Sequence, residues 1–147
     1  MSAQDFWEDD LLDLIMTNVA APNVGDAGGL QPSVGAGSFH TSLMTALPAE
    51  SVSDQTTNEA TYTPYARVAV ARSTAGWTVA AGVADNDAAI TYPQATAGSD
   101  TLTHFGLGFA ASGVGFLNMV GALAASLAVS VGITPEFAAG DLDVSLD

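Results

Sequence analysis

From Leu123 to Ile133 the larger apolar residues stand on alternate positions: Leu123, Ala125, Leu127, Val129, Val131 and Ile133. Ala124, Ser126, Ala128, Ser130 and Gly132 fill the places between them. A period of two is that of a strand with one covered face. The run lies inside a stretch, Thr101 to Pro135, that contains no Asp, Glu, Lys or Arg. Such a stretch is long enough to cross a bilayer as a helix. The alternation argues against a span, because an isolated strand leaves its backbone groups unsatisfied in lipid.

Other segments repeat the strand pattern. Phe39–Ala46, Tyr65–Arg72, Trp77–Ala81, Ala89–Tyr92, Thr101–Gly108, Gly115–Val120, Leu123–Val131 and Leu142–Leu146 all read as strands. Turn signals separate them at Ala75-Gly76, Asp85-Asn86-Asp87, Gly98-Ser99, Ser112-Gly113 and Gly140-Asp141. Short strands at this spacing, without helical periodicity between them, predict a mainly β chain. The expected fold is an antiparallel β-sandwich or jelly-roll-like domain over residues 39–147.

The N-terminal end differs. Residues 1–19 predict one amphipathic helix, with Ser2 as its cap and Asp5 completing a capping box. Trp7, Leu11, Leu14, Ile15 and Val19 form its apolar stripe, with Phe6 and Leu12 beside it. Two readings stand side by side: a helix packed on its own domain, and an arm that docks Phe6, Trp7, Leu11, Leu14 and Ile15 on a partner. Residues 20–38 hold Pro22, Pro32 and five glycines, and predict an extended linker.

Charge narrows the function. Sixteen acids against two strong bases give a net charge of −14. Nucleic-acid binders need clustered Lys and Arg, and an anionic membrane repels an acidic chain, so neither partner is expected. Met1-Ser2-Ala3-Gln4-Asp5 lacks the basic start of an export signal. With no cysteine in the chain, thiolate sites and disulfides are excluded.

Chemistry-bearing patterns are few. His40 and His104 have no metal-ligand spacing and predict partly buried strand residues. Asp141, Asp143 and Asp147 share one face of the last strand, which suits Ca²⁺, a basic partner or a solvated edge. No serine lies in a G-x-S-x-G context, and the glycines around Leu107 and Val114 form no phosphate fingerprint. Neither enzymatic activity nor a cofactor is expected. Arg67 and Arg72, the only strong bases, are expected to form ion pairs within the chain or with a neighbour.

One set of motifs is specific. Asp54-Gln55-Thr56-Thr57-Asn58-Glu59-Ala60, then Tyr62-Thr63, then Tyr65-Ala66-Arg67-Val68-Ala69-Val70-Ala71-Arg72 resembles a family of small tailed-bacteriophage virion proteins. The likeness continues through Gly76-Trp77-Thr78-Val79, Ile90-Thr91-Tyr92-Pro93, Thr103-His104-Phe105-Gly106 and Gly132-Ile133-Thr134-Pro135. It includes Phe137-Ala138-Ala139-Gly140 and touches the helix at Leu11–Ile15, while residues 20–38 carry none of it. Members of that family are often labelled tail-fibre-like, and related small β proteins decorate heads. The resemblance implies a structural virion role without a catalytic site.

The expectation is a capsid decoration or cement protein on the outer surface of the virion. Its partner would be the major capsid protein, and it would form a homotrimer at a local three-fold axis. A tail or fibre adaptor that recognises a glycan through Tyr62, Tyr65 and Trp77 is the rival reading. A polysaccharide hydrolase built on two carboxylates is the more distant one.

Overall fold

The computed structural model describes residues 3–25, 27–51 and 54–146. The protein is mainly β, with antiparallel sheets and one N-terminal helix, an arrangement compatible with a sandwich. By contacts it divides into two units that interleave along the chain. One comprises residues up to Ser38, Ala71–Ile90 and Phe137 onward; the other comprises Phe39–Val70 and Thr91–Glu136. The helix packs on the strands at Trp77–Ala80 and Val83–Asn86, far from it in sequence.

In the first unit, helix α1 spans Asp5–Leu12 and continues as a π-helical turn over Asp13–Thr17. It starts later than expected. Gln4 occupies the cap position without a side-chain cap bond, and Ser2 lies outside the described residues. Three strands form a sheet in the order β3 (Trp77–Ala80), β4 (Val83–Asn86), β9 (Asp143–Ser145). Ala81 and Gly82 join β3 to β4, and both have positive φ, +53° and +77°. That is the requirement of the tight hairpin turn whose twist matches the strands.

Asn86 is buried as the last residue of β4, where a turn had been expected at Asp85-Asn86-Asp87. Its amide satisfies itself by donating to the Ala88 and Ala138 carbonyls at 2.8 and 2.9 Å and accepting the Leu142 N–H at 2.9 Å. Leu12, Met16, Ala21, Trp77, Leu142 and Val144 fill this unit's core.

The segment read as an extended linker folds back on itself. Ala21 and Leu30 exchange both backbone hydrogen bonds, at 2.9 and 3.0 Å. Gly29 makes the closure possible: its φ is +61°, and a Cβ there would collide with the Ala21 carbonyl oxygen.

The second unit holds a four-stranded sheet in the order β2 (Val68–Ala71), β1 (Ser38–Met44), β6 (Asp100–Gly108), β7 (Leu117–Val129). A separate two-stranded ladder pairs β5 (Ile90–Thr91) with β8 (Glu136–Phe137). Strand β1 is central and buried on both faces, Phe39, Thr41 and Leu43 on one and Ser42 and Met44 on the other. The expected strands Gly115–Val120 and Leu123–Val131 are one strand, β7. Its register against β6 jumps from His104↔Ala122 to Leu102↔Leu127, so residues 123–126 bulge out of the ladder. The anticipated covered face is not kept along this stretch: Ala125 in the bulge is exposed, Leu127 is exposed although paired with Leu102, and only Val129 is buried. No helix among the described residues is long and apolar enough to cross a membrane.

Candidate functional site

The helix presents its apolar stripe in an unexpected phase. Leu12 and Met16, one turn apart, are its fully buried residues. Leu11, Leu14 and Ile15 are half-buried, and Phe6 and Trp7 are exposed. Carboxylates explain the rotation. Asp9 Oδ1 accepts the Gly82 N–H of the β3–β4 turn at 2.6 Å, and Asp10 Oδ2 accepts the Asn23 N–H at 3.0 Å. Acids anchor the inner side of the helix, which leaves the aromatic pair facing solvent.

Arg72 closes the other end. Its guanidinium donates to the Ile15 carbonyl at 2.6 Å, the Leu14 carbonyl at 2.9 Å and the Ala36 carbonyl at 3.0 Å. A cation on the last carbonyls of a helix satisfies orphan acceptors and complements the dipole. Asn18, left-handed at φ +59°, then clamps Ser33, accepting its N–H at 3.0 Å and its hydroxyl at 2.7 Å.

Arg67 organises the second unit. Its Nε and Nη2 pair with the two oxygens of Glu59 at 2.6 and 2.8 Å, with the side chains only 2% and 15% exposed. The remaining donors reach the Ala110 and Gly113 carbonyls, both at 2.9 Å, and Gln55 Oε1 at 3.3 Å. Tyr65 donates its hydroxyl to Glu59 at 2.9 Å and accepts the Leu43 N–H at 3.0 Å. Burial and the Glu59 charge push the Tyr65 phenol far above its ordinary value. With both charges answered at hydrogen-bond distance, the cluster is a clamp on loops 54–59 and 110–113 and offers no poised acid or base. Glu59, Gln55 and Tyr65 were not singled out from sequence as Arg67's partners, although all three lie in the motif that carries the resemblance.

The remaining candidates are dispersed. In the β1–β6 register His40 stands opposite Gly108 and His104 opposite Met44, four residue pairs apart. Burial and the Arg67 charge lower the His40 pKa, which keeps it neutral at pH 7. His104 Nδ1 lies 2.8 Å from the Thr103 hydroxyl. Among the described residues no three His, Asp or Glu side chains gather as metal ligands. Asp143 faces Asp85 across the β4–β9 ladder, Asp141 accepts the Ala138 N–H at 3.2 Å, and Asp147 lies outside the described residues.

Aromatics named for glycan binding are largely interior. Tyr62 and Trp77 are buried, and Tyr65 is half-buried between Tyr62 and Tyr92 at ring-centroid distances of 5.5 and 6.3 Å. Burial, with the Asp100 charge beside it, pushes the Tyr62 phenol up to about 12.

What the surface does offer is apolar. In the second unit Leu47, Phe109, Val114, Phe116 and Val120 are exposed. A cleft of about 300 Å³ opens between Leu47–Glu50 and Leu117–Val120. Apolar residues at the 109–116 turn, flanking Gly113, were the sequence signal that could have marked this surface.

A mainly β chain whose two strong bases are engaged internally and whose acidic surface also carries exposed apolar residues is suited to contact with protein. That describes a structural component of a virion better than a catalyst. A family model described as podophage GP4 fiber I protein gp80 matches residues 2–145, and the chain belongs to that family. Among curated proteins none matches.

Proposed function

We propose that this protein is a non-enzymatic structural part of a bacteriophage fibre apparatus, an adaptor that holds neighbouring virion proteins. The observation that carries the reading is the family match, which extends across both contact units. Physical features support it. A net charge of −14 keeps the protein off packaged DNA and suits a basic protein neighbour. The exposed Phe6 and Trp7, continued by Leu11, Leu14 and Ile15, form a stripe of the kind that docks in an apolar groove. Assembly as a homotrimer follows the general preference of repeated virion parts for closed symmetry.

A second placement, on the outer capsid as a decoration or cement protein bridging major capsid proteins, is favoured by one feature. The chain has neither internal repeats nor heptads, the usual material of a long shaft. Copy number separates the two. Quantitative mass spectrometry of purified virions, with labelled particles imaged by electron microscopy, is expected to find a few tens of copies at the tail end at most. Label distributed over the whole head, at a stoichiometry tied to the capsid lattice, would sink the fibre reading in favour of the capsid one.

A further inference from the structure

We infer that the approach to β7 is a contact between copies of this chain, with Phe116 of one copy seated in the cleft of the next. The inference deepens the self-assembly part of the proposed function and is independent of where in the virion the protein sits. Three observations converge on it.

First, knob and hole are neighbours on one surface. Phe116 is 73% exposed and Val114 81% exposed, immediately before the cleft-lining residue Leu117. The cleft's 300 Å³ corresponds to roughly ten waters at ~30 Å³ each, room for an aromatic side chain. Its walls are mostly apolar, Leu47, Pro48 and Ala49 on one side and Leu117, Met119 and Val120 on the other, with Glu50 and Asn118 as the polar members.

Second, charge selects the occupant. Two copies at −14 each repel over most of their surface, yet no Asp, Glu, Lys or Arg occurs from Thr101 to Pro135. Residues 27–49 are likewise uncharged, so Glu50 is the single charged residue among those lining the cleft, and two copies meet here at a lower Coulombic cost than over their acidic surface.

Third, β7 ends its sheet, and its outer edge carries none of the lysines or prolines that guard free edges. The bulge at 123–126 prevents a long sheet continuation, so side chains must supply the contact. At ~150–250 Å² for a whole aromatic side chain, the open parts of Phe109 and Phe116 offer on the order of 250 Å², about a third of the ~800 Å² per partner of a stable interface. Leu47, Val114 and Val120 extend the patch.

Sedimentation velocity on the full chain tests this. The wild type is expected as a closed oligomer, with three chains on the symmetry proposed above. Phe116→Asp and Leu47→Asp should each convert it to monomer with the circular dichroism spectrum unchanged, because both side chains are exposed. Val34→Asp, at a fully exposed position in the other unit, should leave the oligomer intact. As the chain lacks cysteine, mixing separately made Phe116→Cys and Leu47→Cys proteins should yield a disulfide-linked heterodimer on oxidation. A wild type that stays monomeric to its solubility limit, or an oligomer that survives both Asp variants, would overturn the inference. Either result would leave the virion placement to be decided by copy number alone.

Discussion

At the residue scale, Arg67 shows how much of the second unit hangs on one side chain. Its removal would leave Glu59 under Tyr65 without a cation, and the Ala110 and Gly113 carbonyls without donors. Breaking a buried pair from one side costs about 3–5 kcal/mol. Arg67→Ala is therefore expected to lower the urea-derived stability by that amount, and Arg67→Lys to restore only part of it. An ammonium cannot reproduce the two-pronged contact with Glu59. A loss below about 1 kcal/mol would mean the clamp is dispensable. Asp85 points the opposite way. Burial first, then the hydrogen bond and charge of Asp143, raise its carboxyl above the usual range. A raised acid contributes stability below its unfolded value, about 3.9, and loses it as pH climbs through the folded value. Asp143→Asn should thus stabilise the protein at pH 7 by less than about 1 kcal/mol, since like charges opposite each other cost that much at most and solvent screens them. The gain should vanish in thermal melts run below the ordinary Asp value. Asp54, lowered by the Thr56 backbone and hydroxyl donors, has the reverse sign: its contribution exists above its unfolded value and is lost on acidification.

Among the elements, the β3–β4 hairpin carries a correctable strain. Ala81 sits at φ +53°, a conformation that L residues with a Cβ pay about 1 kcal/mol to adopt, whereas Asn tolerates it. Ala81→Asn next to Gly82 makes the preferred turn pair and should raise stability by about 0.5–1 kcal/mol, read as a higher melting temperature. The Asp9 bond to the Gly82 N–H holds the same turn against the helix, so the gain should survive only where that carboxylate is kept. This hairpin also shows where sequence reading stops. Period two revealed β3 and the last strand, but β4 was hidden behind Asp85-Asn86-Asp87, because Asn and Asp ordinarily mark turns. A buried Asn with a satisfied amide overrides that preference, and its partners lie some fifty residues away. In β7 the alternation of burial holds up to Leu123; beyond it the bulge breaks the register, and when pairing with β6 resumes at Leu127 only Val129 is buried. For the helix, the apolar stripe was legible while its phase was not. Counting hydrophobics cannot foresee that Asp9 and Asp10 turn inward to meet backbone N–H groups.

For the molecule as a whole, the β class and the virion character were legible, since both rest on local patterning and on motifs concentrated in the Arg67 network. The division into interleaved units was not, because it depends on contacts between segments far apart in sequence. One consequence concerns how an acidic protein holds its neighbours. Both of its strong bases are engaged in intrachain contacts, Arg67 with Glu59 and Arg72 with the Leu14 and Ile15 carbonyls. Any outward attachment must then use apolar faces or a basic partner. Phe6 and Trp7 separate these options, because they are exposed whereas Leu12 and Met16 are the residues their helix buries. A Phe6→Ser, Trp7→Ser double variant is expected to melt within about 0.5 kcal/mol of the wild type, as changes to exposed side chains that leave the core intact do. When supplied in place of the wild type during phage growth, it should nevertheless be depleted from purified virions. If apolar docking drives attachment, raised salt during purification will not strip the wild-type protein, whereas charge pairing with a basic partner weakens as salt shortens the screening length. Retention of the double variant at wild-type occupancy would assign attachment to the acidic surface instead.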